Sequence, residues 1–429
     1  MEILCIGDLH LGRRPAHSSV VVEHLNGPED ISPRAAWQRC VDYALQRGVA
    51  AVVLTGDLVE DPSDFYEAYT DLQRGVQQLH EQGVAVVAVA GNHDYKILPA
   101  LAHSIEGLEL LGAGGHWTST LINGADMRLE LVGWSFSSER SASPLHHPND
   151  LPEPSHPGTP RVGVLHCDRD GSSGAYAPVR SAALSRAPVD GWLLGHIHKP
   201  DDLAGSAPNG YLGSVVGLDP SEEGPHGTWL LQVAGDGSMA MEQVVLAPLR
   251  WERLAVDVTD LPEPDALRGR LVEALGELDA RIQEGAVMRA RAVGVRIRFT
   301  GETADRAGLL EVLQRDELER HAIPVSGTLY FVDAWVMETR PVVDLEQRAE
   351  GDDPVAVLAR RLLQLDDPDS DACQALVART QKALNDFKLD GRFAQLDSDL
   401  PSPESTRQYL KEAGLQALDR FIEQEEQSQ

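Results

Sequence analysis

Short apolar runs at 3–6, 49–54, 84–90, 129–133, 162–165 and 192–194 alternate with longer amphipathic stretches through the first 247 residues. Alternation of this kind predicts a layered α/β domain. Ser32 and Pro33 open a helix that runs through Trp37, Val41 and Leu45 and is closed by Gly48, and a second helix runs from about 65 to 83. Each precedes a strand. The Pro-, His- and Ser-rich stretch 141–160 reads as a surface loop inside this domain. From 248 to 340 the pattern changes to a strand, an amphipathic helix (Leu267, Leu271, Leu275, Leu278, Ile282) and strands at 293–300 and 328–336, predicting a small α/β cap domain. Residues 341–429 are helical and acidic. The last helix carries a stripe of Tyr409, Leu410, Ala413, Leu418, Phe421 and Ile422, expected to pack on its own domain.

At 429 residues the chain accommodates two or three domains. Hydrophobic residues make up 42% and charged residues 24%, and no run of eighteen apolar residues suggests a membrane span, so no membrane partner is expected. The N-terminus opens on Ile3, Leu4, Cys5 and Ile6 without signal-peptide features, and a cytoplasmic location is the expectation. Cys5, Cys40, Cys167 and Cys373 are scattered and form no CxxC pair, which argues against structural zinc or a disulfide framework. The net charge of −30 disfavours non-specific binding to a polyanion.

Candidate chemistry sits in five polar blocks, each directly after an apolar run: Gly7-Asp8-Leu9-His10, Gly56-Asp57, Gly91-Asn92-His93-Asp94, His166, and Gly195-His196-Ile197-His198. In an α/β sheet, ligands collect outside the carboxyl ends of strands, so five such blocks can converge. Carboxylates, an amide oxygen and imidazoles suit two hard or borderline divalent ions. Two ions about 3.5–4 Å apart lower the pKa of a bound water and neutralise phosphoryl oxygens. On this reading Asp57 bridges, Asp8, His10 and His198 hold one ion, and Asn92, His166 and His196 hold the other. His93, beside a ligand, points to the substrate side as a catalytic acid or transition-state stabiliser, with Asp94 orienting it.

These blocks resemble the calcineurin-like metallophosphoesterase signature. The narrower resemblance is to the SbcD and YhaO group of bacterial DNA repair nucleases. It rests on His166-Cys167-Asp168 with Tyr176-Ala177-Pro178, on 194–200, on Tyr211-Leu212-Gly213-Ser214, on Leu218-Asp219-Pro220, and on Gly224-Pro225-His226-Gly227. It covers about the first 245 residues. The resemblance implies a β-sandwich flanked by helices, two manganese ions, nuclease action on DNA ends, a homodimer, and an SbcC-type SMC-like ATPase partner gripped by the C-terminal region. One position departs from the group: Glu60 stands where its best-studied members have a His three residues after the bridging Asp, which implies weakened or altered exonuclease activity.

Further substrate contacts are expected from Arg13 and Arg14 after the first block, from His17, and from Arg296 and Arg298, which alternate with apolar residues on one strand face. Each also has a plain reading as solvated surface, as do His24, His146, His147 and His156. Two other functions compete with a DNA nuclease. A phosphodiesterase or phosphatase on small nucleotides or phosphoproteins is favoured by the acidic charge and Glu60. A scaffold that recruits an ATPase around a vestigial metal site ranks last, because every expected ligand is present.

Overall fold

The computed structural model describes residues 1–388 and 402–427, apart from 62, 64, 126, 172 and 173. By packing, the chain forms two compact units: one of 1–256, 268–298 and 313–336, the other of 257–267, 299–312 and 337–429. The 248–340 region therefore contributes segments to both.

Within the first unit, residues 1–247 build two sheets. One contains β1 (Glu2–Ile6), β2 (Ala51–Leu54), β3 (Ala85–Ala88) and β4 (Leu108–Leu110). The other contains β5 (Thr118–Asn123), β6 (Arg128–Trp134), β7 (Arg161–His166), β8 (Gly191–Gly195) and β9 (Asn209–Tyr211). The chain then returns to the first sheet with β10 (Gly227–Val233) and β11 (Met239–Val245), giving the orders β11-β10-β1-β2-β3-β4 and β5-β6-β7-β8-β9. Strands β1 to β4 are mutually parallel, as are β6 to β9.

The unbroken apolar runs follow from coverage on both faces. Side chains alternate across a strand, so Leu4 and Ile6 of β1 enter a core with the helices Pro33–Arg47 and Phe65–Glu81, while Ile3 and Cys5 enter a core shared with Leu129, Leu131, Val162 and Val164 of the other sheet. The outer face of that second sheet is covered by Phe136, Leu145, Leu151, Val179 and Leu184. The stretch 141–160 thus places two leucines in a core. It is pinned by Glu130, whose carboxylate accepts from the Ser155 hydroxyl at 2.9 Å.

After β11 come β12 (Leu249–Asp257), β13 (Ala292–Thr300), the two-residue β14 (Glu302–Thr303), β15 (Ala322–Val325), β16 (Thr328–Met337) and β17 (Arg340–Pro341). A four-stranded sheet has the order β12-β13-β16-β15, and β14 pairs with β17. The helix Leu267–Gln283 buries Leu271, Leu275, Leu278 and Ile282. Trp251 of β12 lies over Gly294, where an added Cβ would come within 2.1 Å of its ring, and its indole N–H donates to the Gly217 carbonyl at 3.1 Å. Trp251 thereby ties this sheet to the loop that leaves β9.

In the second unit, Asp353 caps the helix Pro354–Gln364 by accepting the Ala356 N–H at 2.8 Å. Val355 and Leu362 of that helix pack on Leu418 of the helix Pro403–Gln427, while Leu365, Cys373 and Val377 pack with Leu410. The expected stripe is thus only partly used within its own domain. Tyr409 and Phe421 are exposed, and the side chain of Ile422 lies outside the described residues. Among the described residues no helix is long and apolar enough to cross a membrane.

Candidate metal centre

The five polar blocks follow the carboxyl ends of β1, β2, β3, β7 and β8, at one edge of the paired sheets. Close approach there demands small or strained backbone. A Cβ on Gly7 would lie 1.8 Å from the Gly213 carbonyl oxygen, and one on Gly91 would lie 2.1 Å from Asp57 Oδ1. His10, Asp57 and His196 adopt positive φ angles of 50°, 49° and 107°. Left-handed backbone at three non-glycine residues is strain that the surrounding sheets must hold in place.

Two donor clusters result. Asp8, His10 and His198 each place a ligand atom within 4.8 Å of the others, and so do Asp57, His166 and His196. Asn92 Oδ1 joins the second at 3.1 Å from His166 Nε2. The Asp57 carboxylate lies 3.3 Å from His166 Nε2 and accepts the His93 backbone N–H at 2.9 Å. A third group brings His10, Glu60 and His93 together.

The hydrogen bonds behind these imidazoles decide their chemistry. His10 Nδ1 meets Glu60 at 2.6 Å and His198 Nδ1 meets Glu222 at 2.7 Å. An ionised carboxylate only accepts, so both Nδ1 atoms carry the proton, and in the neutral imidazoles both Nε2 atoms present bare lone pairs. Those lone pairs face one another at 3.0 Å. His166 repeats the pattern: Nδ1 donates to the Thr55 carbonyl at 3.1 Å, and Nε2 is turned toward the oxygens of Asn92 and Asp57. In the neutral imidazoles acceptors converge on acceptors, a repulsion that a proton or a metal cation lying among them relieves. The donor set therefore fits two divalent cations, one at each cluster, with the rear carboxylates fixing ring orientation.

Electrostatics point the same way. Burial raises the Asp57 carboxyl, but His166, and then His10 and His93, outweigh it and hold the group below the usual carboxylate range. Burial opposes a charge on His166, yet Asp57 and Asp8 lift it to about 9. A raised imidazole pKa beside two carboxylates marks a place where positive charge is strongly stabilised.

The expected role of Asp94 is corrected by its surroundings. Its carboxylate is buried and accepts the backbone N–H groups of Leu58 at 2.7 Å and Gly91 at 2.8 Å. It braces the turns that carry Asp57 and Asn92 rather than orienting His93. Burial, reinforced by the Asp57 charge, pushes its carboxyl up to about 7. His93 is instead held through Nδ1 by the Glu60 carbonyl at 3.0 Å, with its ring 5.2 Å from that of His10.

The expected substrate residues part company. His17 and Arg296 share the buried carboxylate of Asp333, at 2.5 and 2.7 Å. Arg298 lies two residues further along β13 and is exposed. Arg13 is half-buried beside the first cluster and Arg14 is exposed. Sequence reasoning missed Glu222, which sits in the loop 218–227 at no fixed spacing from His198, and it treated Glu60 only as a departure. Tyr176, whose ring lies 5.3 Å from that of His196, also escaped a role at the centre.

Glu222→Gln is expected to lower metal affinity about 10- to 100-fold, the usual cost of losing a carboxylate behind a ligating imidazole. Isothermal titration of the metal-free protein measures it.

Residues 1–200 match the calcineurin-like phosphoesterase family, and residues 251–340 match the middle domain of metallophosphoesterase YhaO. The Bacillus subtilis (strain 168) protein titled "Uncharacterized metallophosphoesterase YhaO" is 26% identical over 291 residues, which cover 61% of this chain and 64% of the relative. The match thus spans less than two thirds of that relative's length. Two solved structures, TT1561 of Thermus thermophilus and a dimetal phosphatase from Danio rerio, are each 14% identical and cover 56% of this chain. The match takes in 98% and 95% of those chains, with TM-scores of 0.33 and 0.34.

Proposed function

We propose that this protein is a two-metal phosphodiesterase that cleaves DNA ends with Mn²⁺ as the working ion, as a homodimer in partnership with an SbcC-type ATPase. The observation that supports the metal chemistry most directly is the 3.0 Å approach of two imidazole nitrogens, His10 Nε2 and His198 Nε2, each on a ring whose Nδ1 is backed by a carboxylate. Asp8, His10 and His198 would hold one ion and Asn92, His166 and His196 the other, with Asp57 between them. Bound there, the ions supply a nucleophile at neutral pH and screen charge on the phosphoryl group.

The chain's own residues do the rest. Glu60, Glu222 and the Thr55 carbonyl fix three imidazoles in their metal-accepting tautomer. Asp94 holds the two turns that carry Asp57 and Asn92. With Nδ1 of His93 tied to the Glu60 carbonyl, Nε2 is the atom that carries or delivers a proton, and protonation there suits it to the departing oxygen. Mn²⁺ is supported by the mixture of carboxylate, amide and imidazole donors. The ATPase partner and the homodimer rest on the family resemblance.

The test is hydrolysis of end-labelled linear DNA by metal-stripped protein. No turnover without metal, recovery with Mn²⁺, and a further rise with the ATPase are expected. Turnover persisting in chelator would refute the metal mechanism. A second reading, action on small nucleotide esters, is favoured by the net charge of −30, which opposes a long polyanion. Hydrolysis of a nucleotide ester without cleavage of DNA would select it.

A further inference from the structure

Beside the first donor cluster the chain turns at Gly12, and Arg13 and Arg14 then line a cleft of about 400 Å³ whose other wall is the start of the helix Phe65–Glu81. That volume lies within the range of roughly 300–1,000 Å³ that small-ligand sites occupy. Three features give the cleft direction.

At its inner end are two cations. Arg13 lies within electrostatic reach of Glu60 and Asp219, yet among the described residues no carboxylate forms an ion pair with Arg13 or Arg14. Arg13, half-buried and one turn from His10, and the exposed Arg14 thus offer guanidinium groups that can pair with an anion. On the wall stands Tyr66, whose side chain is 82% exposed. Its ring touches Phe65 in a T-shaped contact at 5.4 Å, which sets its orientation and leaves most of the ring open to solvent. A large aromatic ring left in water beside cations has the composition of a base-stacking platform. The outer end is acidic: Arg34 pairs with Asp71 at 3.1 Å and Glu29 at 3.8 Å, and Glu67 adds a further carboxylate close to Asp71. Charge therefore runs from positive near the metal centre to negative away from it. A strand of several phosphates would meet repulsion at the far end. One phosphate followed by one base would not.

We propose that this cleft is a single-nucleotide subsite, in which Arg13 and Arg14 hold a phosphate and Tyr66 stacks on the base of the nucleotide next to the scissile bond. The proposal rests on the phosphodiesterase reading and narrows it to substrates bearing a base at that position. It also reconciles an acidic protein with a nucleotidic substrate, since recognition is confined to one unit and needs no long basic track.

The test has two arms on the full chain. In the first, kinetics are compared on thymidine 5′-(p-nitrophenyl phosphate) and methyl p-nitrophenyl phosphate, which share a leaving group and differ by the nucleoside. Tyr66→Ala should raise KM for the nucleoside ester roughly 5- to 150-fold, the 1–3 kcal/mol of a base stacked on an aromatic ring. Its kcat and its action on the methyl ester should be unchanged, and Tyr66→Phe should behave as wild type. In the second, 2-aminopurine deoxyriboside 5′-monophosphate is titrated into metal-free protein, where quenching on binding should vanish in Tyr66→Ala and weaken in Arg14→Gln. Equal effects of Tyr66→Ala on both esters, or quenching that survives it, overturns the subsite. Hydrolysis of neither ester by wild type refutes the phosphodiesterase reading, and the fluorescence arm still decides the cleft.

Discussion

Asp57→Asn is expected to reduce phosphodiester hydrolysis by roughly 10³-fold or more, because losing even one preorganised electrostatic contact to a reacting group costs about 10²–10³, and Asp57 serves the whole centre. Its carboxylate faces His166 at 3.3 Å and is electrostatically linked to His10 and His93 as well. The amide keeps the shape and the hydrogen bond from the His93 N–H while removing the charge that binds cations. Metal content measured by atomic emission should fall from two ions per chain to one or none. Full retention of both ions with normal turnover would remove Asp57 from the centre. Because the asparagine is isosteric, the metal-free forms should melt together, which separates loss of chemistry from loss of fold.

Glu130→Ala is expected to destabilise the protein by about 3–5 kcal/mol, the cost of stranding one member of a buried ion pair. Glu130 on β6 and Arg161 on β7 are register partners with side chains 1% and 4% exposed, and Arg161 Nε lies 3.2 Å from Glu130 Oε2. The guanidinium also donates to the Pro188 carbonyl at 3.3 Å and to that of Pro152, so the pair fastens the 141–160 stretch to the strand that ends in His166. Thermal unfolding should fall by something on the order of 10 °C. Glu130→Ala combined with Arg161→Met should recover most of the loss, since no buried charge is then left uncompensated. A double variant as unstable as the single one would show that packing, not charge, dominates there.

Much of the metal centre was legible before any coordinates because its signals are local. Gly7-Asp8-Leu9-His10 or Gly91-Asn92-His93 places a ligand, a turn and a strand end within a few residues, and alternation in a strand fixes which way each side chain points. The helices at 33–47 and 65–81 were legible for the same reason, from Pro33, Gly48 and apolar spacing. Asp94 was misread because adjacency in sequence suggested a partner in His93, whereas the turn directs its carboxylate back at two N–H groups that had no other acceptor. Backbone satisfaction outranked the side-chain contact, as it does wherever polar backbone is buried. Glu222 and Tyr66 carried no sequence signal, since each owes its meaning to a neighbour far along the chain.

The sequence by itself determined that strand ends bear residues suited to hold divalent metals and in which order they come, because those are properties of short segments. Only the tertiary structure decided what stands behind each imidazole: Glu60 behind His10, Glu222 behind His198, and a backbone carbonyl behind His166. Those partners set the tautomer, and the tautomer turns two nitrogens 3.0 Å apart into a site that fits a cation. Hydrogen bonds across 24, 50 and 111 residues of chain have no periodicity to read. They exist only once the strands have assembled and brought their carboxyl ends to one edge.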